Sequence, residues 1–156
     1  MQGAACGVWG PAGTAEVAGV VSVCAAANVP LVPQGGNTGM CGAATPDATG
    51  REIVLSLARM HAIRALDRAT ATINVEAGVT LAVAQQAARD DGLRFPLSLA
   101  AAGSCQVAGP LSQTPGGTAD WRPGHTTDLL PGAERVCADT EVRADTGGRR
   151  QGPPAN

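Results

Sequence analysis

Tyrosine and lysine are both absent from this chain of 156 residues, and aromatic residues make up only 2% of it. Phe95, Trp9 and Trp121 are its only large rings. A core built from Ala, Val and Leu gains less per residue than one with aromatics, so stability is expected to be modest. Without lysine there is no Schiff-base amine and no lysine of a Walker phosphate loop. Every cation apart from histidine is arginine, scattered among the acids to a net charge of -2. No basic stripe interleaved with aromatics marks a nucleic-acid surface, so no nucleic-acid partner is expected. The five cysteines, Cys6, Cys24, Cys41, Cys105 and Cys137, are odd in number and form no C-x-x-C pair. A disulfide framework or a zinc site is therefore not expected, and reduced thiols in a cytoplasmic setting are the better reading. No charged segment followed by an apolar one opens the chain, and no apolar run reaches the length of a membrane span.

Glycine is plentiful, and its placement is informative. Pro33-Gln34-Gly35-Gly36-Asn37-Thr38-Gly39 follows the short apolar run Val29-Pro30-Leu31-Val32, which reads as a strand. Gly35, Gly36 and Gly39 can take conformations that a Cβ would forbid, and Asn37 tolerates left-handed geometry. Such a loop can gather several main-chain N–H groups into a nest for an anion, most often a phosphate. A plain surface loop is the alternative. Gly103 to Gly117 is a second region of small residues.

The elements around these loops read as an α+β domain of ordinary single-domain size. Cys6 to Trp9 reads as an edge strand. Thr14 is a good N-cap, Glu16 adds a carboxylate to the first turn, and Val17, Val20, Val21 and Cys24 form an apolar stripe to about Ala27. With the strand that follows, this makes a β-α-β unit whose second strand ends in the glycine loop. Ile53-Val54-Leu55 reads as a buried strand. Ile63 to Asp67 and Thr72 to Glu76 read as an antiparallel pair. Thr80 caps a second helix, Leu81 to about Asp90, which Gly92 ends. Residues 137–156 are polar and rich in Gly, Arg and Pro, and are expected to be a disordered tail after a domain of residues 1–136.

Two glycine regions joined by strands and a helix suit a long ligand with a pyrophosphate in its middle. From about Val8 to Glu134 the sequence resembles the FAD-binding domain of the vanillyl-alcohol-oxidase, or PCMH-type, flavoproteins. It is most similar there to FAD-linked D-2-hydroxyacid dehydrogenases of the glycolate oxidase subunit, D-lactate and D-2-hydroxyglutarate type. The resemblance rests on Pro33 to Gly39, Arg51-Glu52-Ile53-Val54-Leu55-Ser56-Leu57, and Val75-Glu76-Ala77-Gly78-Val79-Thr80-Leu81. It continues through Phe95-Pro96-Leu97-Ser98-Leu99, Gly103-Ser104-Cys105-Gln106 and Gly116-Gly117-Thr118. It implies that Pro33, Gln34, Gly35, Gly36, Asn37, Thr38 and Gly39 hold the FAD pyrophosphate. Pro96, Gly103, Ser104, Gly109, Ser112, Gly116 and Gly117 would line the rest of the cofactor.

The chain also departs from the family pattern. Ala108-Gly109-Pro110 stands where relatives read G-G-N, Thr114-Pro115-Gly116-Gly117 where they read T-N-A-G-G, and Arg122-Pro123-Gly124 where they read R-Y-G. Proline removes an N–H donor from such positions. The later glycine motif and the cap domain, which in relatives supplies most substrate contacts and the metal-binding or base histidines, are absent from the sequence. No catalytic and no metal-binding residue is therefore expected here. No histidine lies in the first glycine loop, where covalent-flavin members carry theirs, so the FAD is expected to be non-covalent. His61, His125, Asp90, Asp91 and the Arg149-Arg150 pair read as solvated surface, Glu76 as structural, and Cys105 as packing. The leading expectation is the FAD-binding part of an enzyme that oxidises D-2-hydroxy acids by hydride transfer to flavin. A truncated or degenerate non-catalytic product, and a split subunit completed by a cap-domain partner chain, are the alternatives.

Overall fold

The computed structural model describes residues 2–95, 97, 99, 101–113, 130–137 and 141–146. Strand β1 (Ala5–Trp9) leads to helix α1 (Thr14–Ala26), strand β2 (Leu31–Gln34) and strand β3 (Glu52–Ser56). These three strands form a parallel sheet in the order β1-β3-β2. The β-α-β unit read from the sequence is thus a crossover with a third strand inserted between its two strands. The insertion has a physical reason. β3 carries the consecutive buried residues Val54 and Leu55. A strand buried on both faces belongs in the middle of a parallel sheet. β1 is exposed along its length, with Val8 and Trp9 more than half exposed, as an edge strand can be.

α1 matches its apolar stripe: Cys24 is buried and Val17, Val20 and Val21 are half-buried. Its cap differs from expectation. Gly13 takes the N-cap position with no side-chain cap, and Thr14 is the first helical residue. The carboxylate of Glu16 instead accepts the Ala12 N–H at 2.8 Å. The Thr14 hydroxyl is thereby free to donate to the Glu134 carboxylate.

Strands β4 (Ile63–Asp67) and β5 (Thr72–Val75) form the expected antiparallel hairpin. Helix α2 (Leu81–Asp90) follows, and Gly92, at φ +72°, turns the chain out of it. The Arg68–Asp91 ion pair ties the hairpin turn to the end of α2. A short helix α3 (Ala108–Gln113) and an antiparallel pair, β6 (Gly132–Val136) and β7 (Val142–Thr146), complete the described elements.

Two of these elements correct the sequence reading. α3 lies inside the second glycine-rich region, where no helix was expected. Pro110 is its third residue and is buried. In a first helical turn the main-chain N–H has no partner within the helix, so proline fits there without loss. β7 lies inside the stretch expected to be a disordered tail. It carries almost no apolar residues, and its pairing with β6 from Gly132↔Thr146 to Val136↔Val142 supplies the order that composition does not. Residues 138–140 and 147–156 of that stretch lie outside the described residues.

One glycine fixes how the hairpin meets the sheet. A Cβ on Gly78 would sit 2.0 Å from the Leu57 carbonyl oxygen and 2.7 Å from that of Met60. The Gly78 N–H donates to that same Met60 oxygen at 2.7 Å. Gly78→Ala must therefore move main chain, and we expect it to lower stability by about 1–3 kcal/mol in urea unfolding. Gly7→Ala, where a Cβ meets nothing within 4 Å, should stay within about 0.5 kcal/mol of the parent.

Candidate functional site

The glycine loop leaves β2 at the carboxyl end of the parallel sheet, where open α/β sheets place their ligands. Its first residue is anchored: Gln34 Nε2 donates to the Ala44 carbonyl at 2.7 Å. The loop then runs against the second glycine region. A Cβ on Gly36 would lie 1.7 Å from the Ser104 carbonyl oxygen and 3.3 Å from the Cys105 Cα. One on Gly35 would lie 3.3 Å from Gln106 Oε1. The two regions that the sequence singled out are therefore in direct contact.

The glycines serve a different purpose from the one expected. None of Gly35, Gly36 and Gly39 has positive φ; the left-handed residue of the loop is Asn37, at φ 51°. Gly35 and Gly36 are needed for space, and Asn37 makes the turn. Among the described residues, no main-chain N–H from Gly35 to Gly39 donates a hydrogen bond. Five adjacent main-chain donors are thus without a hydrogen-bond partner.

The N-terminus of α2 offers a contrast. Leu81 N–H donates to the Cys105 carbonyl at 2.8 Å and Ala82 N–H to that of Ala102 at 3.0 Å. Val83 N–H reaches Thr80 Oγ1 at 3.4 Å, and Ala84 N–H reaches the Thr80 carbonyl at 3.1 Å. The first three N–H groups of the helix are thus taken by the 102–105 segment and by the cap, and Ala84 begins the intrahelical ladder. This end cannot serve as a phosphate site; it holds the 102–105 segment in place for the glycine loop instead.

The other expected residues fall as follows. Pro33 is an exposed residue of β2, and Thr38 and Gly39 are exposed in the loop. Gly103 and Ser104 are exposed, and a Cβ at Gly103 or at Gly109 would meet nothing within 4 Å. Gly109 and Ser112 lie in α3. Pro96, Gly116 and Gly117 lie outside the described residues, as do Pro115 and His125. Sequence reading did not single out the Gln106 side chain. Its Oε1 is buried at the loop contact with no hydrogen-bond partner, and no local pattern signals that.

A cavity of about 1030 Å³ lies between the β4–β5 hairpin, α2, α3 and β6. Leu66, Ile73, Val75, Phe95, Val107 and Leu111 are among its walls, and no residue from Pro33 to Gly39 is. It is an apolar space beside the nest rather than part of it. Among the described residues, no group of three or more His, Cys, Asp or Glu could hold a metal ion.

The loop and the segment pressed against it thus leave polar groups without partners in one place. Comparison with known proteins identifies the family. The chain belongs to the family described as FAD binding domain, whose model matches residues 6–145. It is 36% identical over 132 residues to the D-2-hydroxyglutarate dehydrogenase of Xanthomonas citri pv. viticola, covering 85% of this chain and 28% of that protein. The mitochondrial D-2-hydroxyglutarate dehydrogenase of Bos taurus is also 36% identical, over 85% of this chain and 24% of its own length. Two structures of alkyldihydroxyacetonephosphate synthase share the fold. Their TM-scores are 0.77 and 0.79 at 20% and 19% identity, over 85% and 94% of this chain and 25% and 27% of theirs. The fold is thus the α+β, PCMH-type FAD-binding domain. The chain spans roughly a quarter of the length of the curated relatives it matches.

Glu76 shows how a carboxylate near this region is committed to structure. Its side chain is 13% exposed. It accepts the Ala62 N–H at 2.9 Å and pairs with Arg64 at 3.2 Å. The Ala62 hydrogen bond, and after it Arg64, hold its carboxyl below the usual glutamate value against the opposing effect of burial. A lowered native pKa gives stability that is present above the unfolded value, about 4.3, and lost as pH falls through the folded one. We expect Glu76→Gln to melt below the parent at pH 7, and the gap to close as pH falls from about 4.3 toward 3, followed by thermal melts across that range.

Proposed function

We propose that this chain is the cofactor-holding part of a FAD-linked D-2-hydroxyacid dehydrogenase, with the pyrophosphate of a non-covalently bound FAD seated on Pro33 to Gly39. One observation carries the reading: five unpaired main-chain N–H groups lie in a loop pressed by Gly35 and Gly36 onto the 104–106 segment. Gly35 to Gly39 donate to the phosphates, and Gln34 holds the loop by its bond to Ala44. Gly103, Ser104, Gly109 and Ser112 line the path beyond the pyrophosphate, with Pro96, Gly116 and Gly117. Bound FAD supplies the acceptor for a hydride from the α-carbon of the hydroxy acid. This chain's part is to bind and orient the cofactor.

Non-covalent attachment is supported by the absence of histidine from the loop. The relatives named D-2-hydroxyglutarate dehydrogenase support the substrate class. A cytoplasmic location is the reading we favour, because all five cysteines are free thiols. No helix among the described residues is long and apolar enough to cross a membrane. Substrate contacts are assigned outside this chain, to the three quarters of the relatives' length that it does not span. The second reading is a subunit completed by a partner chain that carries the cap domain, whose surface could cover the apolar cavity lined by Leu66, Ile73 and Phe95.

Titration of FAD by fluorescence quenching tests the site. The wild-type chain should bind. Gly36→Val, forced against the Ser104 carbonyl, should weaken binding roughly ten-fold or more, the equivalent of about 1–3 kcal/mol of overpacking. Affinity equal to wild type would place the pyrophosphate elsewhere. The isolated FAD-loaded chain should not reduce dichlorophenolindophenol with D-lactate, glycolate or D-2-hydroxyglutarate. Positioning a substrate against a reactive group can be worth roughly 7–11 kcal/mol, and this chain does not supply it. Turnover of any of these acids would show that substrate contacts lie within these residues.

A further inference from the structure

The strands around the apolar cavity border it in different ways. β4 reaches it through Arg64 and Leu66, two residues apart, as a strand does when it turns one face to a space. β5 reaches it through Thr72, Ile73, Asn74 and Val75 in succession, and β6 through Gly132, Ala133, Glu134 and Arg135. Successive residues point to opposite faces of a strand, so a strand that borders a space with all of them borders it with its edge. Two strand edges, one from each hairpin, therefore border the same cavity.

Both hairpins stop at two strands. Among the described residues, β5 pairs with β4 alone and β6 with β7 alone. A two-stranded ribbon is marginal in water, and an unpaired edge is a template for a further strand. The walls between the edges are apolar, and Leu66, Ile73, Val75, Phe95 and Leu111 among them are only half-buried. A small ligand would be held there by a few placed polar groups, yet the Glu76 carboxylate is already committed to Ala62 and Arg64. Main-chain edges with apolar walls match an extended polypeptide. Its N–H and C=O groups pair with the edges, and its alternate side chains enter the apolar space. The curated relatives have roughly three quarters of their length outside the part that matches this chain, ample for such a segment.

We propose that the cavity is the seat of a β-strand from a partner polypeptide, inserted between β5 and β6 so that the two hairpins join into one sheet. The proposal rests on the reading of this chain as a subunit completed by a partner chain. It adds which edges receive the partner and what the strand carries: apolar residues at alternate positions, over the four to five residues that β5 and β6 provide.

Overlapping fluorescent peptides serve as the probe. They tile the part of the Xanthomonas citri pv. viticola D-2-hydroxyglutarate dehydrogenase outside its match to this chain, and fluorescence polarisation reads their binding to the full chain. A peptide with alternating apolar residues should bind. Hydrogen exchange should then slow at the outward amides of both 72–75 and 132–135. Ile73→Ser should weaken that peptide roughly five-fold or more through lost apolar contact, and Val8→Ser, on an exposed strand of the other sheet, should leave it unchanged. Exchange in the wild-type chain keeps the test independent of whether Ile73→Ser folds. A bound peptide that slows only one set, or neither, overturns the insertion and leaves the partner reading standing. No binding by any peptide overturns both. Slow exchange at every amide of both sets in the chain alone also overturns the proposal, and gel filtration then shows whether a second copy fills the seat.

Discussion

The site depends on one close approach, that of Gly36 to the Ser104 carbonyl. A single added carbon there would sit 1.7 Å from that oxygen. No side chain can be accommodated, so main chain lies on main chain. Steric complementarity rather than a hydrogen bond makes the contact. It joins the end of β2 to the segment that caps α2, since Ala102 and Cys105 take the first two N–H groups of that helix. The sheet, the loop, the second glycine region and α2 are thereby linked in sequence. A shift at any one of them moves the others.

That linkage also decides which N–H groups face a ligand. Two sets of main-chain donors lie close to the same segment. Those of α2 are consumed by carbonyls and by Thr80. Those of Gly35 to Gly39 have no described partner. A helix dipole commonly favours an anion at its N-terminus, yet here the helix start is spent on holding the platform. The unpaired donors lie instead in the loop, where Asn37 at φ 51° makes the turn.

Much of this was legible because the signals are local. The α1 stripe, the Thr80 cap, Gly92 and the β4–β5 alternation each lie within a few residues, and the elements appear where they read. The loop after β2 was legible as a turn for the same reason, though Asn37 rather than a glycine takes the left-handed conformation. The order β1-β3-β2 was not, because it is settled by which strand buries both faces. β7 was hidden by a polar composition that only pairing with β6 offsets. α3 was hidden by Gly109 and Pro110, which look like loop residues unless a first helical turn makes the missing N–H harmless. Gln106 could not be singled out at all. Whether an amide is satisfied depends on neighbours distant in sequence.

Such a site couples ligand binding to folding. Among the described residues the larger aliphatic and thioether members of the core are Val32, Val54, Leu55, Met60, Val79, Leu81 and Leu97. Leu66, Ile73 and Phe95, on the wall of the apolar cavity, are only partly covered. Domains of this size are stable by a narrow margin. A ligand that binds only the folded state adds stability in proportion to the logarithm of its concentration over its dissociation constant. It would do so at the Gly36–Ser104 junction, where two segments meet without a hydrogen bond between them. The unpaired N–H groups of Gly35 to Gly39 lie at that same junction, where the chain itself supplies them no acceptor.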